Sequence, residues 1–221
     1  MSRGKVSIWC SVGVGAAILC YSFPPFRVKP INGAGRARPS PANVAAPVNV
    51  TDYADELWKN RLPDAFDSAV DIEELLTSVD RDSEDARRRF GRQVGLGGAC
   101  FLFVRGSGQV EEVTANYCTL KIGGRARRAR IRIGVVVGNV VRDSTGLIDV
   151  SQFANSQDFN NLSAQLNQRV ETDVIAPSRE RLRVGARVRF VGCARVSDDS
   201  DFDPLGLVPV YLDIVDPEVR P

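Results

Sequence analysis

The spacing of the hydrophobic residues changes several times along the chain, and the order of those changes limits the folds open to it. From Thr51 to Phe90 apolar residues recur at helical spacing, whereas after Gly98 they alternate with polar residues, as in strands that bury one face. Helical spacing returns over residues 159–174, and alternation then resumes. This order predicts an α+β protein in which helices and strands are largely separate along the chain.

Residues 51–95 are predicted to form a helical lobe. Pro63 suits the first turn of a helix, Asp71 is placed to cap the next helix, and Asp82 or Ser83 can cap a third that ends at Gly91. Between residues 51 and 90 the chain carries twelve acidic and six basic side chains, so this lobe is acidic.

Residues 96–221 are predicted to form five strands and one helix. Two alternating segments, 117–122 and 128–133, form a hairpin whose inner face is apolar, and Gly106 and Gly108 are expected to interrupt the preceding strand as a bulge. Three strands, a helix and two strands is the order of the OB-fold, a small five-stranded Greek-key barrel. We therefore expect one globular domain, residues 51–221, in which the helical lobe packs on an antiparallel OB-like barrel.

The first 29 residues are predicted to be a signal anchor or a signal peptide. Residues 6–23 carry no charge, and 18 residues at about 1.5 Å each is the lower limit for spanning a bilayer. A cleaved signal peptide and a lipoprotein signal ending at Cys20 are alternatives, but the cleavage site is poor and Leu19 is large for a lipidation motif. An uncleaved anchor in a bacterial inner membrane is favoured.

Residues 30–50 are predicted to be a flexible linker because they are rich in proline, alanine and glycine and lack large apolar residues at regular spacing. The linker would hold the domain away from the membrane, in the periplasm. The anchor and linker together carry six basic residues and no acidic one, so residues 51–221 hold 23 basic and 27 acidic side chains. A net charge of −4 on the domain disfavours nucleic acid as a partner.

The composition also limits the chemistry of the domain. The chain has no histidine, and Cys100, Cys118 and Cys193 make no Cys-x-x-Cys pair. Common zinc sites and Ser-His or Cys-His nucleophiles are therefore not expected. We expect a protein that is not an enzyme and holds no cofactor or metal. One disulfide among the three cysteines is possible on composition, although three small buried side chains are favoured.

A group of polar residues after the predicted hairpin is the first candidate for ligand binding. Amide and guanidinium groups suit sugar hydroxyls or a carboxylate, because they offer hydrogen bonds in fixed planar geometry. Arg142 and Asp143 could instead form a buried ion pair, and Asn155 could cap a helix. The candidates are Arg142, Asp143, Asn155, Gln157 and Asn167.

A run of arginines in the hairpin is the second candidate. It could bind phosphate, an acidic lipid head group or an acidic partner, although its alternation with apolar residues favours a solvated strand face. A third interpretation is internal, because residues 91–135 hold eight basic and two acidic side chains and can pack beside the acidic helical lobe. The run consists of Arg125, Arg127, Arg128, Arg130 and Arg132.

The chain resembles a bacterial family of predicted periplasmic lipoproteins of unknown function, often encoded beside sugar ABC transporters. It departs from the family pattern at Val135, where the family has proline. The residues that carry the resemblance are Phe26-Arg27-Val28-Lys29-Pro30, Leu57-Trp58, Asp71-Ile72, Leu75-Leu76, Phe90-Gly91, Gly106-Ser107-Gly108-Gln109-Val110, Ile131-Arg132-Ile133-Gly134, Arg142-Asp143, Phe153-Ala154-Asn155, Phe159, Leu166-Asn167 and residues 185–192.

The resemblance implies a binding or accessory module that assists a sugar ABC transporter by contacting its permease or its binding protein. An alternative function follows from the predicted barrel, since OB-folds bind oligosaccharides or nucleic acids on one face. That function needs aromatic side chains on the barrel surface, and Tyr117 and Tyr211 are the only tyrosines of the strand region.

Overall fold

The computed structural model describes residues 49–95, 98–153 and 155–215. The apolar segment 6–23, predicted to be the membrane anchor, and residues 30–48 of the predicted linker lie outside this part of the chain. None of the helices in the three described ranges combines the length and the hydropathy needed to cross a bilayer.

The helical lobe begins with α1 (Val50–Glu56), which is capped by the Asn49 side chain. A π-helical turn, Leu57–Arg61, joins α1 to the short α2 (Leu62–Asp64), and Pro63 lies in the first turn of α2 as the sequence predicts. Proline is tolerated there because the N–H that it lacks would have no hydrogen-bond partner in the first turn of a helix.

Two further helices and two short strands complete this lobe. Strand β1 (Val70–Asp71) leads into α3 (Ile72–Arg81), which is followed by α4 (Ser83–Phe90) and strand β2 (Arg92–Gln93). The carboxylates of Asp71 and Asp82 accept hydrogen bonds from the first backbone amides of α3 and α4, which confirms both as helix caps.

Five strands close into a barrel after the helical lobe: β3 (Cys100–Val113), β4 (Tyr117–Lys121), β5 (Arg128–Arg132), β6 (Arg187–Val196) and β7 (Leu205–Val215). The order around the barrel is β3-β4-β5-β7-β6, and β6 pairs again with β3. This is the strand order of an OB-fold, so the mixed α and β architecture predicted from the sequence is confirmed.

One seam of the barrel is parallel, whereas the prediction was of an antiparallel barrel. Strand β5 pairs with β7 in parallel from Ala129–Leu205 to Ile131–Leu207. A closed ring of five strands cannot alternate direction at every pair, because five is odd. The parallel seam therefore follows from the number of strands.

The predicted bulge at Gly106 and Gly108 is wrong. The ladder between β3 and β6 runs without a shift from Cys100–Val196 to Gln109–Arg187, and the bulge lies later, where Val110 and Glu112 face β4. The glycines are needed for close packing. A Cβ atom at Gly106 would lie 2.4 Å from Cγ2 of Ile72, and one at Gly108 would lie 2.8 Å from a backbone oxygen of β4.

Several helical segments, rather than one helix, connect β5 to β6. They are α5 (Val140–Ser144), a 3-10 turn over Val150–Gln152, α6 (Ser156–Arg169), a π-helical turn over Val170–Ile175 and α7 (Ala176–Arg179). Pro177 lies beyond residues 159–174, over which the sequence shows helical spacing, and it occupies the first turn of α7. Proline is accepted there because the π-helical turn before it starts a new α-helical segment.

A single hydrophobic core joins these helices to the barrel. Leu75 of α3 and Leu166 of α6 are buried in the same cluster as Leu120 of β4 and Phe202, and each is at most 1% exposed. The helical lobe therefore packs on the barrel, as the alternating and helical apolar spacings predict.

Candidate functional site

A polar pocket of about 610 Å³ lies between the connection from β5 to α5 and one face of α6. Its volume is in the range of small-molecule sites, about 300–1,000 Å³. The lining residues are Val136, Val137, Gly138, Asn139, Arg142, Asn160, Ser163, Ala164, Asn167, Gln168 and Glu171.

Arg142 and Asp143 form a buried ion pair beside this pocket. Nε and Nη2 of Arg142 lie 2.6 and 3.1 Å from the two carboxylate oxygens of Asp143, and the residues are 9% and 6% exposed. Asn139 donates a further hydrogen bond to the Asp143 carboxylate. The guanidinium also stacks on the Phe159 ring, with Cζ 3.8 Å from the ring centre. The structure thus places the two residues in the buried pair that the sequence left as an alternative.

Two side chains of α6 and of the π-helical turn after it hold the connecting segment in place. Nδ2 of Asn167 donates to the backbone oxygen of Gly138 at 2.9 Å. Oε1 of Glu171 accepts from the backbone amide of Val136 at 2.7 Å. These bonds define one wall of the pocket, because each ties the Val136–Gly138 segment to the helical side.

Ser163 contributes a buried hydroxyl without a hydrogen-bond partner. The residue is 8% exposed, and its Oγ is the one unpaired buried side-chain nitrogen or oxygen in residues 49–95, 98–153 and 155–215. A buried polar group left unsatisfied costs about 1–3 kcal/mol. The wall of the pocket therefore includes one buried hydroxyl that no other group of the described residues pairs.

Asn155 and Gln157 do not belong to this pocket. Oδ1 of Asn155 accepts from the backbone amide of Asp158 at 2.8 Å, so Asn155 is the N-cap of α6. Nε2 of Gln157 donates to Oδ1 of Asn161 at 3.0 Å on the exposed side of the helix. Of the five residues predicted to bind a ligand, Arg142 and Asn167 line the pocket and Asp143 lies behind Arg142.

Most of the pocket side chains of the helical segment were not predicted from the sequence. Asn160, Ser163, Asn167 and Glu171 recur every three or four positions, which places them on one helix face, and Gln168 lies next to Asn167. A polar stripe opposite the buried Leu162 and Leu166 was the available signal. The missed polar residues are Asn160, Ser163, Gln168 and Glu171.

The basic run divides into two parts. Nη1 of Arg125 and Nε of Arg127 lie 3.4 and 2.6 Å from the carboxylate of Asp80 in α3, and Arg128 pairs with Glu111 of β3. The first two contacts support the interpretation that this run packs on the acidic helical lobe.

The last two arginines of the run surround an aromatic ring. Cζ of Arg130 and Cζ of Arg132 lie 5.6 and 5.0 Å from the ring centre of Tyr117. Both distances allow a cation–π interaction. Tyr117 is on β4 and both arginines are on β5, so the cluster lies on the surface of two adjacent barrel strands.

The three cysteines of the domain are buried free thiols. Burial raises the pKa of Cys118 to about 11 and that of Cys193 to about 12. A thiol with so high a pKa is a poor nucleophile near neutral pH. Within the described ranges, no three cysteine, aspartate or glutamate side chains come together in a group able to hold a metal ion.

Comparisons with known proteins agree with the barrel. Residues 15–213 match a family described as predicted periplasmic lipoprotein, DUF2291. The fold is similar to the crystal structure of an OB-fold protein from Thermotoga maritima, with a TM-score of 0.68 and 24% sequence identity. That match covers 77% of this chain and 100% of the other chain. No curated protein matches the sequence. At this identity the structural match shows the fold alone.

Proposed function

The chain belongs to the DUF2291 family of predicted periplasmic lipoproteins, and from this premise we propose that it is a binding or accessory module without catalytic activity that serves an ABC transport system, with sugar as the transported class. The family implies a periplasmic, membrane-associated protein. The finer proposal is that residues 6–23 anchor it in the inner membrane and that the domain faces the periplasm.

The polar pocket is the observation that carries the binding role. It is lined by asparagine and glutamine side chains together with Arg142, whose charge is neutralised by Asp143. Such a lining offers many hydrogen bonds, and its one carboxylate, Glu171, is bonded to the Val136 amide and has no second acid beside it in the lining. A site of this kind holds a molecule and does not transform it.

The transporter link is supported by the family resemblance and by exposed apolar side chains at the rim of the pocket. Val137, in the segment that forms one pocket wall, is 72% exposed, and Val135, just before this segment, is 68% exposed. Exposed apolar groups beside a ligand site suit transient contact with a second protein. We propose that this rim contacts the permease or the substrate-binding protein of the transporter.

Photo-crosslinking of the full-length chain in its native host tests this proposal. A crosslinking amino acid at Val137 should capture an ABC permease or binding protein, and one at Val184, which is 67% exposed but does not line the pocket, should not. Failure at both positions would refute the transporter association. Protease treatment of spheroplasts checks the orientation, since a periplasmic domain is digested without lysing the inner membrane.

A second candidate function rests on the surface cluster of Tyr117, Arg130 and Arg132. OB-folds bind oligosaccharides and oligonucleotides on the face of their second and third strands, which here are β4 and β5. The Tyr117 ring, with the guanidinium groups of Arg130 and Arg132 near it, is a stacking platform with positive charge beside it. Filter binding of single-stranded DNA and of an acidic oligosaccharide at low salt tests it. Retention that is lost in Tyr117→Ala would favour this function.

A further inference from the structure

We propose that the polar pocket binds a neutral, polyhydroxylated small molecule, of the chemical class of sugars and polyols, and discriminates against anionic analogues of the same size. This inference rests on the proposed binding role and names the class of ligand. It also separates two ligand chemistries that amide and guanidinium groups serve equally well, hydroxyls and carboxylates.

The charges around the pocket disfavour an anion. Asp143 already occupies the Nε and Nη2 edge of Arg142, so this pair carries no net charge. Glu171 adds one negative charge to the lining. A carboxylate or phosphate in the pocket would lie beside Glu171 without a free cation in the lining to offset the repulsion.

The remaining hydrogen-bonding capacity of the lining includes both donors and acceptors. Arg142 has five N–H groups and uses three, two towards Asp143 and one towards the backbone oxygen of Phe159 at 3.4 Å. Two N–H groups are left. Asn167 and Glu171 each use one polar atom within the described chain, which leaves Oδ1 of the first and Oε2 of the second as acceptors.

A hydroxyl group is the ligand that fits such a mixed set. It donates one hydrogen bond and accepts two, whereas a carboxylate only accepts and an ammonium group only donates. Neighbouring hydroxyls on one ring can therefore satisfy Arg142 and Glu171 at the same time. Val137 and Ala164 of the lining offer apolar surface for the C–H groups of the ring.

Calorimetric titration of the full-length protein, in a detergent without a sugar head group, tests the inference. The neutral probes are glucose, ribose and myo-inositol, and the anionic analogue is glucuronate. We expect at least one neutral probe to bind, and glucose to bind about tenfold tighter than glucuronate. No heat from any neutral probe at millimolar concentration, or glucuronate bound as tightly as glucose, would overturn the inference.

Three variants show whether the pocket is responsible. Asn167→Ala should weaken binding of the neutral probe about tenfold. A loss of this size is expected when a ligand hydroxyl that is buried away from water loses one hydrogen bond to the protein. Gln157→Ala, on the exposed side of the same helix, is the matched control and should not change it. Glu171→Gln keeps an acceptor for the Val136 amide and removes the charge, so it should narrow the difference between glucose and glucuronate. Unchanged selectivity in this variant would contradict the charge argument.

The two proposals fail separately. Crosslinking to a transporter component without binding of any neutral probe would leave the accessory role standing and remove the ligand class. Binding of a neutral probe that Asn167→Ala weakens, without any crosslinked transporter component, would do the reverse.

Discussion

Replacing Ser163 with alanine should stabilise the protein, because it removes the unpaired hydroxyl from a buried position on α6. The residue is 8% exposed and its Oγ has no partner in the described part of the chain. Most substitutions of buried residues destabilise, so the sign of this change is a strict test of the structure.

The size of the effect follows from three contributions. Relief of an unsatisfied buried hydroxyl is worth about 1–3 kcal/mol. Alanine adds up to about 0.5 kcal/mol of helix propensity within α6. The lost atom gives up a few contacts at about 0.1–0.2 kcal/mol each, and a small void remains. We expect a net gain of about 1–2 kcal/mol in the free energy of unfolding, taking the lower part of the first range.

Urea unfolding of Ser163→Ala, followed by circular dichroism, measures this gain. With a slope of about 2 kcal/mol per molar urea, the midpoint should rise by about 0.5–1 M while the slope stays unchanged. Ser178→Ala in α7 is the matched control, since Ser178 is also 8% exposed but carries no unpaired buried atom. A midpoint of Ser163→Ala equal to or below that of the wild type would show that the hydroxyl is satisfied in solution, and the reasoning would be refuted.

Other substitutions test the remaining structural claims. Asp143→Ala leaves the buried guanidinium unpaired and should lower the unfolding free energy by about 3–5 kcal/mol in the same urea assay, and a loss below 1 kcal/mol would place the pair in solvent. Gly106→Ala should cost about 1–3 kcal/mol because its Cβ meets Ile72, whereas Gly206→Ala on β7, with no atom within 4 Å, should be nearly neutral; equal midpoints would contradict the packing argument. The pKa values of Cys118 and Cys193 are raised in the folded state, so at high pH these thiols ionise in the unfolded chain first. Their contribution to the free energy of unfolding is therefore fully present below about pH 8. It is lost as the pH rises towards 11, by about 1.4 kcal/mol per pH unit per thiol. The difference between the urea midpoints at pH 8 and pH 10 should therefore be smaller in Cys193→Ala than in the wild type. The same difference in both proteins would argue against the burial of this thiol.

The architecture could be predicted because each element is specified by its own local pattern. Asp71 and Asp82 mark helix starts whatever surrounds them, since a cap acts on the amides two or three residues away. The hairpin of β4 and β5 follows from strict alternation, with Leu120 and Ala129 both fully buried. Local signals of this kind do not depend on the rest of the fold.

The features that sequence reasoning missed depend on distant neighbours. Gly106 suggested a bulge, but its role is set by Ile72 on another element, which no local pattern reveals. The pocket has the same origin. Glu171 becomes a lining residue only because the Val136 amide comes to it across 35 positions of the chain. Two of the five predicted ligand residues were misplaced for this reason, as the N-cap role of Asn155 shows.

The parallel seam between β5 and β7 also affects when the protein can fold. The seam joins Ala129 to Leu205, and the ladder that closes the ring joins Cys100 to Val196. The ladder needs β6 and the seam needs β7, which are the last two strands in the sequence, so neither pairing can form before its strand has been synthesised. Contacts between residues so far apart form slowly because the intervening loop must first be ordered. A nascent chain without β7 has an open sheet and an uncovered interior. Closure of the barrel therefore has to follow the synthesis of β7, which pairs with both β5 and β6.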